Sequence, residues 1–165
     1  MIPLDEAQAH VRGCCPAPVA TTAALDGALG LVLAEAVVAS EAVPPFANSA
    51  MDGFAVRAAD TAGAPVRLAV IGTLAAGAAP GRAVGPGEAI RIMTGAPMPP
   101  GADAVVMVER TSVSGSLEGE QVEVEVEVPV DNHVRHAGED LESGQVVFPA
   151  GTALGPGQEI GRPPV

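Results

Sequence analysis

The sequence of 165 residues contains no tryptophan, no tyrosine and no lysine, and only three phenylalanines. A core without large rings must be filled by Val, Ala, Leu and Ile, and an apolar content of 48% supplies enough of them to exclude general disorder. Positive charge is equally scarce: eight arginines stand against 20 acidic residues, for a formal net charge of −12. A phosphate backbone is bound through a positive patch, so nucleic acid is excluded as a partner and an anionic membrane surface is disfavoured. That every basic residue is Arg fits either forks for an oxyanion or a plain compositional bias, so each arginine has to be argued by position. The only cysteines, Cys14 and Cys15, are adjacent and offer neither a Cys-x-x-Cys zinc pair nor a disulfide framework. With His10 upstream a metal site can be drawn, but ordinary thiols near a helix end in a reducing compartment are the simpler reading. No apolar run approaches the roughly 20 residues that span a bilayer, and the acidic start at Asp5 and Glu6 lacks an apolar leader. A cytoplasmic protein is expected.

What is abundant is glycine (20) and proline (16), which predicts many turns, short strands and few long helices. Leu4, Ala7 and Val11 predict a short helix over 4–12, ending by Gly13, with Asp5 and Glu6 at its positive end. Leu25, Leu29, Val32, Leu33 and Ala36 predict a second helix over 22–37, weakened by Gly27 and Gly30. Pro44-Pro45 then breaks the chain, and the period changes from 3.6 to 2. Strands are predicted over 54–56, 66–71, 89–93, 104–109 and 145–148. Val122 to Val128 alternates Val with Glu throughout, so Val122, Val124, Val126 and Val128 are expected inside and Glu123, Glu125 and Glu127 on a solvated face that protects a sheet edge. The last nine residues begin like a new amphipathic segment and stop at Pro163-Pro164, as if cut from a longer chain.

Three polar concentrations can carry chemistry. In Pro44–Val56 an amide, a hydroxyl and a carboxylate (Asn48, Ser49, Asp52) fall within five residues, too rich in small side chains to read as core. Asp52 before Gly53 is also an ordinary turn dipeptide, in which the aspartate bonds its own backbone. In Ile90–Glu109 three prolines stiffen a loop that presents Thr94, whose hydroxyl either closes its turn or faces an oxyanion together with the Gly95 and Ala96 amides. In Asn132–Asp140, His133 and His136 have no third ligand fixed by spacing, so a histidine metal site is the weaker reading. Arg135 with Glu139 and Asp140 is either an ion-pair cluster or an arrangement for an oxyanion and Mg²⁺.

These motifs, Pro44–Arg57, the Gly72–Gly81 turn region, Ile90–Glu109 and Val134–Asp140, resemble in order and spacing the N-terminal region of the MoeA/gephyrin E-domain family of molybdopterin molybdotransferases. The resemblance implies a cytoplasmic enzyme of molybdenum-cofactor biosynthesis that binds adenylylated molybdopterin, uses Mg²⁺, and inserts molybdate into the dithiolene with release of AMP. By motif it implies catalytic roles for Asp52, Thr94 and Asp140 and substrate binding by Ser49 and Arg135, at a cleft between the subunits of an elongated homodimer. The metal's ligands are not identified. Ala47 departs from the family, which more often has a carboxylate there. The family's full enzyme continues into an α/β domain and a small C-terminal β domain, so this chain is expected to be the N-terminal portion, inactive alone.

The expected fold class is α+β. A small mixed domain of N-terminal helices and C-terminal strands (1–45 and 139–165) carries an inserted β-rich domain (46–138). Two other readings stand beside the enzyme: a non-catalytic dimerisation or scaffold module of the gephyrin type, and a β-barrel that binds small anions through Arg67, Arg82 and Arg91.

Overall fold

A computed structural model of the chain describes residues 2–115 and 119–160. The chain divides into two compact units, one of Met1–Val37 with Val147–Val165 and one of Val38–Val146. The crossings therefore fall at 37/38 and 146/147 rather than at the expected 45 and 138. The end of the chain at 161–165, with Pro163-Pro164, lies outside the described residues.

The first unit begins with α1 (Leu4–Cys14), which runs past Gly13 and buries none of its residues. The predicted helix over 22–37 does not form: a single 3₁₀ turn at Leu25–Gly27 is followed by a turn at 29–30, an isolated bridge of Val32 with Ala153 and bends. Gly30 takes a left-handed φ of 81°, which ends helical winding, and the backbone of 30–33 bonds across to 151–154 instead. Pairs such as Gly30 N–H to Leu154 O (2.8 Å) and Leu33 N–H to Thr152 O (2.9 Å) satisfy amides that the helix would have used internally. A short helix follows later in the unit, at Pro156–Ile160. No helix among the described residues is long and apolar enough to cross a membrane.

The larger unit is mostly β. Two strands, β1 (Val37–Val38) and β10 (Val146–Phe148), pair where the chain passes between the units. A second small pair joins β2 (Asn48–Ser49) to β9 (Val134–Arg135). The main sheet contains β3 (Gly53–Val56), β4 (Val66–Leu74), β5 (Glu88–Ile92), β6 (Ala104–Met107), β7 (Thr111–Ser114) and β8 (Gln121–Val124), in the order β6-β3-β5-β4-β8-β7. All neighbours are antiparallel except β4 and β5, which run parallel across a register shift between Val70 and Thr73.

Both faces of this sheet are covered. Phe54, Val56, Leu68, Ala89, Val106, Val122 and Val124 form one cluster, and Ala55, Leu74, Ile90, Ile92, Ala96 and Val105 form the other. Within β3 the alternation sends Phe54 and Val56 to one side and Ala55 to the other, and all are buried. Among the described residues no helix of this unit lies over the first face, and the 3₁₀ turn Ala58–Thr61 adds Ala58 to that cluster. Thr61 is buried with both needs met: its hydroxyl donates to Ala58 O (2.8 Å) and accepts from Val128 N–H (3.0 Å).

One expectation about the Val/Glu run is corrected here. Val122, Val124 and Val128 do face inward, but β8 lies between β4 and β7 and guards no edge. The strand ends at Val124, and two glutamates of the run are used: Glu123 receives Arg67 Nε–H at 2.8 Å and Glu127 receives the Gly63 amide at 3.2 Å.

Candidate functional site

Asp52 does not act as a turn aspartate. Its Oδ1 accepts from both the backbone N–H and the hydroxyl of Thr94, each at 2.7 Å, across 42 residues of sequence. Gly53 is a strand residue, and its lack of a Cβ is required because a Cβ there would sit 2.0 Å from the Val106 carbonyl oxygen of β6. That close approach of β3 to β6 fixes the backbone immediately after Asp52. The two bonds from Thr94, first the amide and then the hydroxyl, hold the Asp52 carboxyl below the usual carboxylate range, with desolvation opposing weakly. Asp52 is thus an ionised, exposed carboxylate with one oxygen occupied and one oxygen not engaged by Thr94.

Thr94 is exposed, but the loop under it is not loose. Ala96 and Pro99 are fully buried, Ala96 within the second core cluster, and Met98 packs against that cluster. The backbone of β2 ties the loop from the other side: Gly95 N–H donates to Ser49 O (2.8 Å), Ser49 N–H to Ala96 O (3.0 Å) and Met98 N–H to Ala47 O (2.9 Å). Gly95 has φ 79°, which a side-chain-bearing residue rarely adopts, and this bend turns Thr94 outward toward Asp52. The proline-stiffened loop of the sequence is therefore held by burial and by a neighbouring strand.

That same strand reaches the third polar segment. Asn48 stands opposite Arg135 and Ser49 opposite Val134, and the Ala50 amide donates to His133 O at 2.9 Å. Asp131 (φ 65°) and His133 (φ 53°) both lie in the left-handed region, tolerated by Asp and His better than by most residues, and they bend the chain into β9. Beyond it, Arg135 Nη2 lies 2.6 Å from Asp140 Oδ2 and its Nε 3.8 Å from Glu139 Oε1. Asp140 is fixed by its own amide, which donates to Val43 O at 2.8 Å. The hydrogen bond and the charge of Asp140, with Glu139 adding less, push the Arg135 guanidinium above its usual range, so it is cationic at any working pH.

The structure thus joins Asp52 to Thr94 and Arg135 to Asp140, and places β2 between the two pairs, all within the larger unit. Ser49 is at the centre of this junction but is not open to a ligand: it is 1% exposed, and its hydroxyl is held within its own turn, donating to Met51 O at 2.5 Å. Asn48 is buried as well, which corrects the expectation that this stretch is too rich in small side chains to be core. Among the described residues no three His, Cys, Asp or Glu side chains converge to hold a metal, so a histidine site at His133 and His136 is not formed. His136 Nε2 instead lies 3.2 Å from Asp131 Oδ1. The three arginines of the anion-binding reading each face a carboxylate: Arg67 with Glu123 (2.8 Å), Arg82 with Glu88 (2.9 Å) and Arg91 with Glu120 (3.4 Å). Arg91 also lies over the Phe54 ring, 5.2 Å from its centroid.

The family model for the MoeA N-terminal region (domain I and II) matches residues 2–162. The chain belongs to that family. It is 40% identical over 160 residues to the molybdopterin molybdenumtransferase of Bacillus subtilis, covering 94% of this chain and 37% of the relative. It is 42% identical over 166 residues to molybdopterin molybdenumtransferase 2 of Mycobacterium tuberculosis, covering 94% and 39%. Among solved structures, a molybdopterin biosynthesis MoeA protein from Pyrococcus horikoshii superposes with a TM-score of 0.80 at 34% identity, over 96% of this chain and 41% of that one. The chain spans about two-fifths of the length of the relatives it matches. Within this MoeA N-terminal region, the motifs name Asp52, Thr94, Arg135 and Asp140, and the structure adds residues that set the backbone beside them. Asn132, whose Nδ2 donates to Val105 O at 2.7 Å, and His133, with its left-handed backbone, are two of these. The available signal was the run Asp131-Asn132-His133, three residue types that favour such backbone.

Proposed function

We propose that this MoeA N-terminal region forms one wall of a molybdenum-insertion site, in a cytoplasmic enzyme of molybdenum-cofactor biosynthesis that transfers molybdate into adenylylated molybdopterin and releases AMP. The observation that carries the reading is the family match over 2–162 combined with a built polar wall at the family's own motifs, where Asp52 is locked by Thr94 and Arg135 by Asp140. Arg135 supplies a permanent cation whose remaining N–H donors orient a phosphate or molybdate oxyanion. Thr94 holds Asp52 ionised and in one rotamer, so the second carboxylate oxygen has a defined position toward substrate.

The donor set fits Mg²⁺ as a cation shared with substrate. Mg²⁺ usually takes one or two carboxylates, with phosphate oxygens and water filling the rest, so three converging side chains are not required. Asp52 and Asp140, both exposed, are the residues that would hold it, and its chemistry would be to neutralise charge on the phosphate. We place the other wall of the cleft on a second copy of the chain in a homodimer.

A second reading, an assembly module without catalysis, is favoured by one observation: among its described residues the first unit buries only Ala28 of its hydrophobic residues, while Leu4, Val11, Val19, Leu29 and Val32 are exposed. A chimera separates the two. Replacing the matched region of the Bacillus subtilis relative with this chain should preserve AMP release on mixing adenylylated molybdopterin, molybdate and Mg²⁺. Asp52→Asn and Asp140→Asn in that chimera should each lower turnover by about a hundredfold or more. Turnover unchanged by both substitutions would leave only the assembly reading.

A further inference from the structure

Ser49, to which the resemblance assigns a substrate contact, is placed for a different task. It is 1% exposed, and its hydroxyl is engaged with one neighbour, donating to Met51 O at 2.5 Å and accepting from Met51 N–H at 3.3 Å. Those two bonds close the turn that delivers Asp52, the next residue along the chain. Asp52 is then held from its far side, where Val108 N–H donates to its carbonyl oxygen at 3.1 Å and β3 begins at Gly53.

The main chain of the same residue supports the other half of the pair. Ser49 O accepts from Gly95 N–H and Ser49 N–H donates to Ala96 O, so the two residues after Thr94 hang from Ser49. The next bridge, Asn48 to Pro97, continues that attachment along the loop, and Val134 of β9 stands opposite Ser49. Side chain toward Asp52 and main chain toward Thr94, one buried residue carries the supports of two groups that are 42 positions apart and meet at 2.7 Å.

We propose that Ser49 is a positioning residue that sets the meeting of Asp52 with Thr94, its hydroxyl fixing the turn before Asp52 while its main chain fixes the loop after Thr94. It touches no substrate and acts through those two residues. Its bearing on turnover rests on the transferase reading; the positioning itself does not.

Ser49→Ala removes the hydroxyl and leaves the main-chain bonds in place, and amide hydrogen exchange of the chain itself is the first readout. The Thr94 amide, which donates to Asp52, should exchange about tenfold faster, the change expected when one or two neutral hydrogen bonds are lost, while Phe54–Val56 keep their wild-type rates. Unchanged exchange at Thr94, or equal acceleration at Thr94 and Phe54–Val56, would overturn the proposal, the second by making Ser49 a general stabiliser. In the Bacillus subtilis chimera, Ser49→Ala should lower kcat about tenfold at unchanged KM, since small misplacements of a reacting group cost at least that much. Added to Asp52→Asn it should cost nothing further, because both changes act on one group. A raised KM at unchanged kcat would return Ser49 to substrate binding, and additive losses would separate it from Asp52; either result also overturns the positioning role. Turnover indifferent to Asp52→Asn would instead remove the transferase reading, and the exchange rate at Thr94 would still decide what Ser49 does.

Discussion

At the residue scale, the informative object is a carboxylate whose environment was set by a distant loop. Asp52 is ionised more readily in the folded chain than in the unfolded one, because Thr94 donates to its Oδ1 twice. A group with a lowered folded pKa contributes stability above its unfolded pKa and loses that contribution as pH falls through the folded value. Comparing thermal unfolding of the wild type with Asp52→Asn should therefore show a difference at neutral pH that shrinks below about pH 4. A difference independent of pH would mean that the Thr94 bonds do not depend on charge. Thr94→Val keeps the amide donor and removes only the hydroxyl, so its effect should be the smaller of the two. Nothing local in the sequence announces this pair. Asp52-Gly53 reads as a turn and Thr94-Gly95 as another, and only the adjacency of β3 and β5 brings them together.

At the element scale, strands were legible where one face alternates and helices were not legible where the chain had a better partner. The alternation found the start of β8, which ends at Val124 rather than running to Val128, and its position inside the sheet depended on pairing with β7, which no pattern announced. The stripe over 22–37 had helical spacing, but Gly30 and the backbone of 151–154 redirected its hydrogen bonds. The clearest element-level constraint is the contact of β3 with β6. Gly53→Ala must displace the Val106 carbonyl and should cost about 3 kcal/mol in urea unfolding. Gly72→Ala in β4 has nothing within 4 Å and no left-handed φ, so it should be neutral or stabilising by up to about 1 kcal/mol. Equal effects of the two would show that the β3–β6 approach is not what demands glycine.

At the scale of the whole molecule, stability is unevenly shared. The larger unit holds both core clusters, whereas among its described residues the first unit buries only Ala28 of its hydrophobic residues and α1 buries nothing. Hydrogen exchange should accordingly be slowest at Phe54–Val56 and Ile90–Ile92 and fast along α1; slow exchange in α1 would reveal a cover on its apolar face. The sequence by itself determined the chemistry available to the chain: the family, a net charge of −12, and the motifs that carry Asp52, Thr94, Arg135 and Asp140. Those features are local, since they depend on residue type and short spacing. The tertiary structure decided which of these side chains meet, which hydroxyl is withdrawn into its turn, as in Ser49, and where each unit begins. The reason is that hydrogen bonds and close approaches between strands far apart in sequence are satisfied only once the sheet has fixed its order and register.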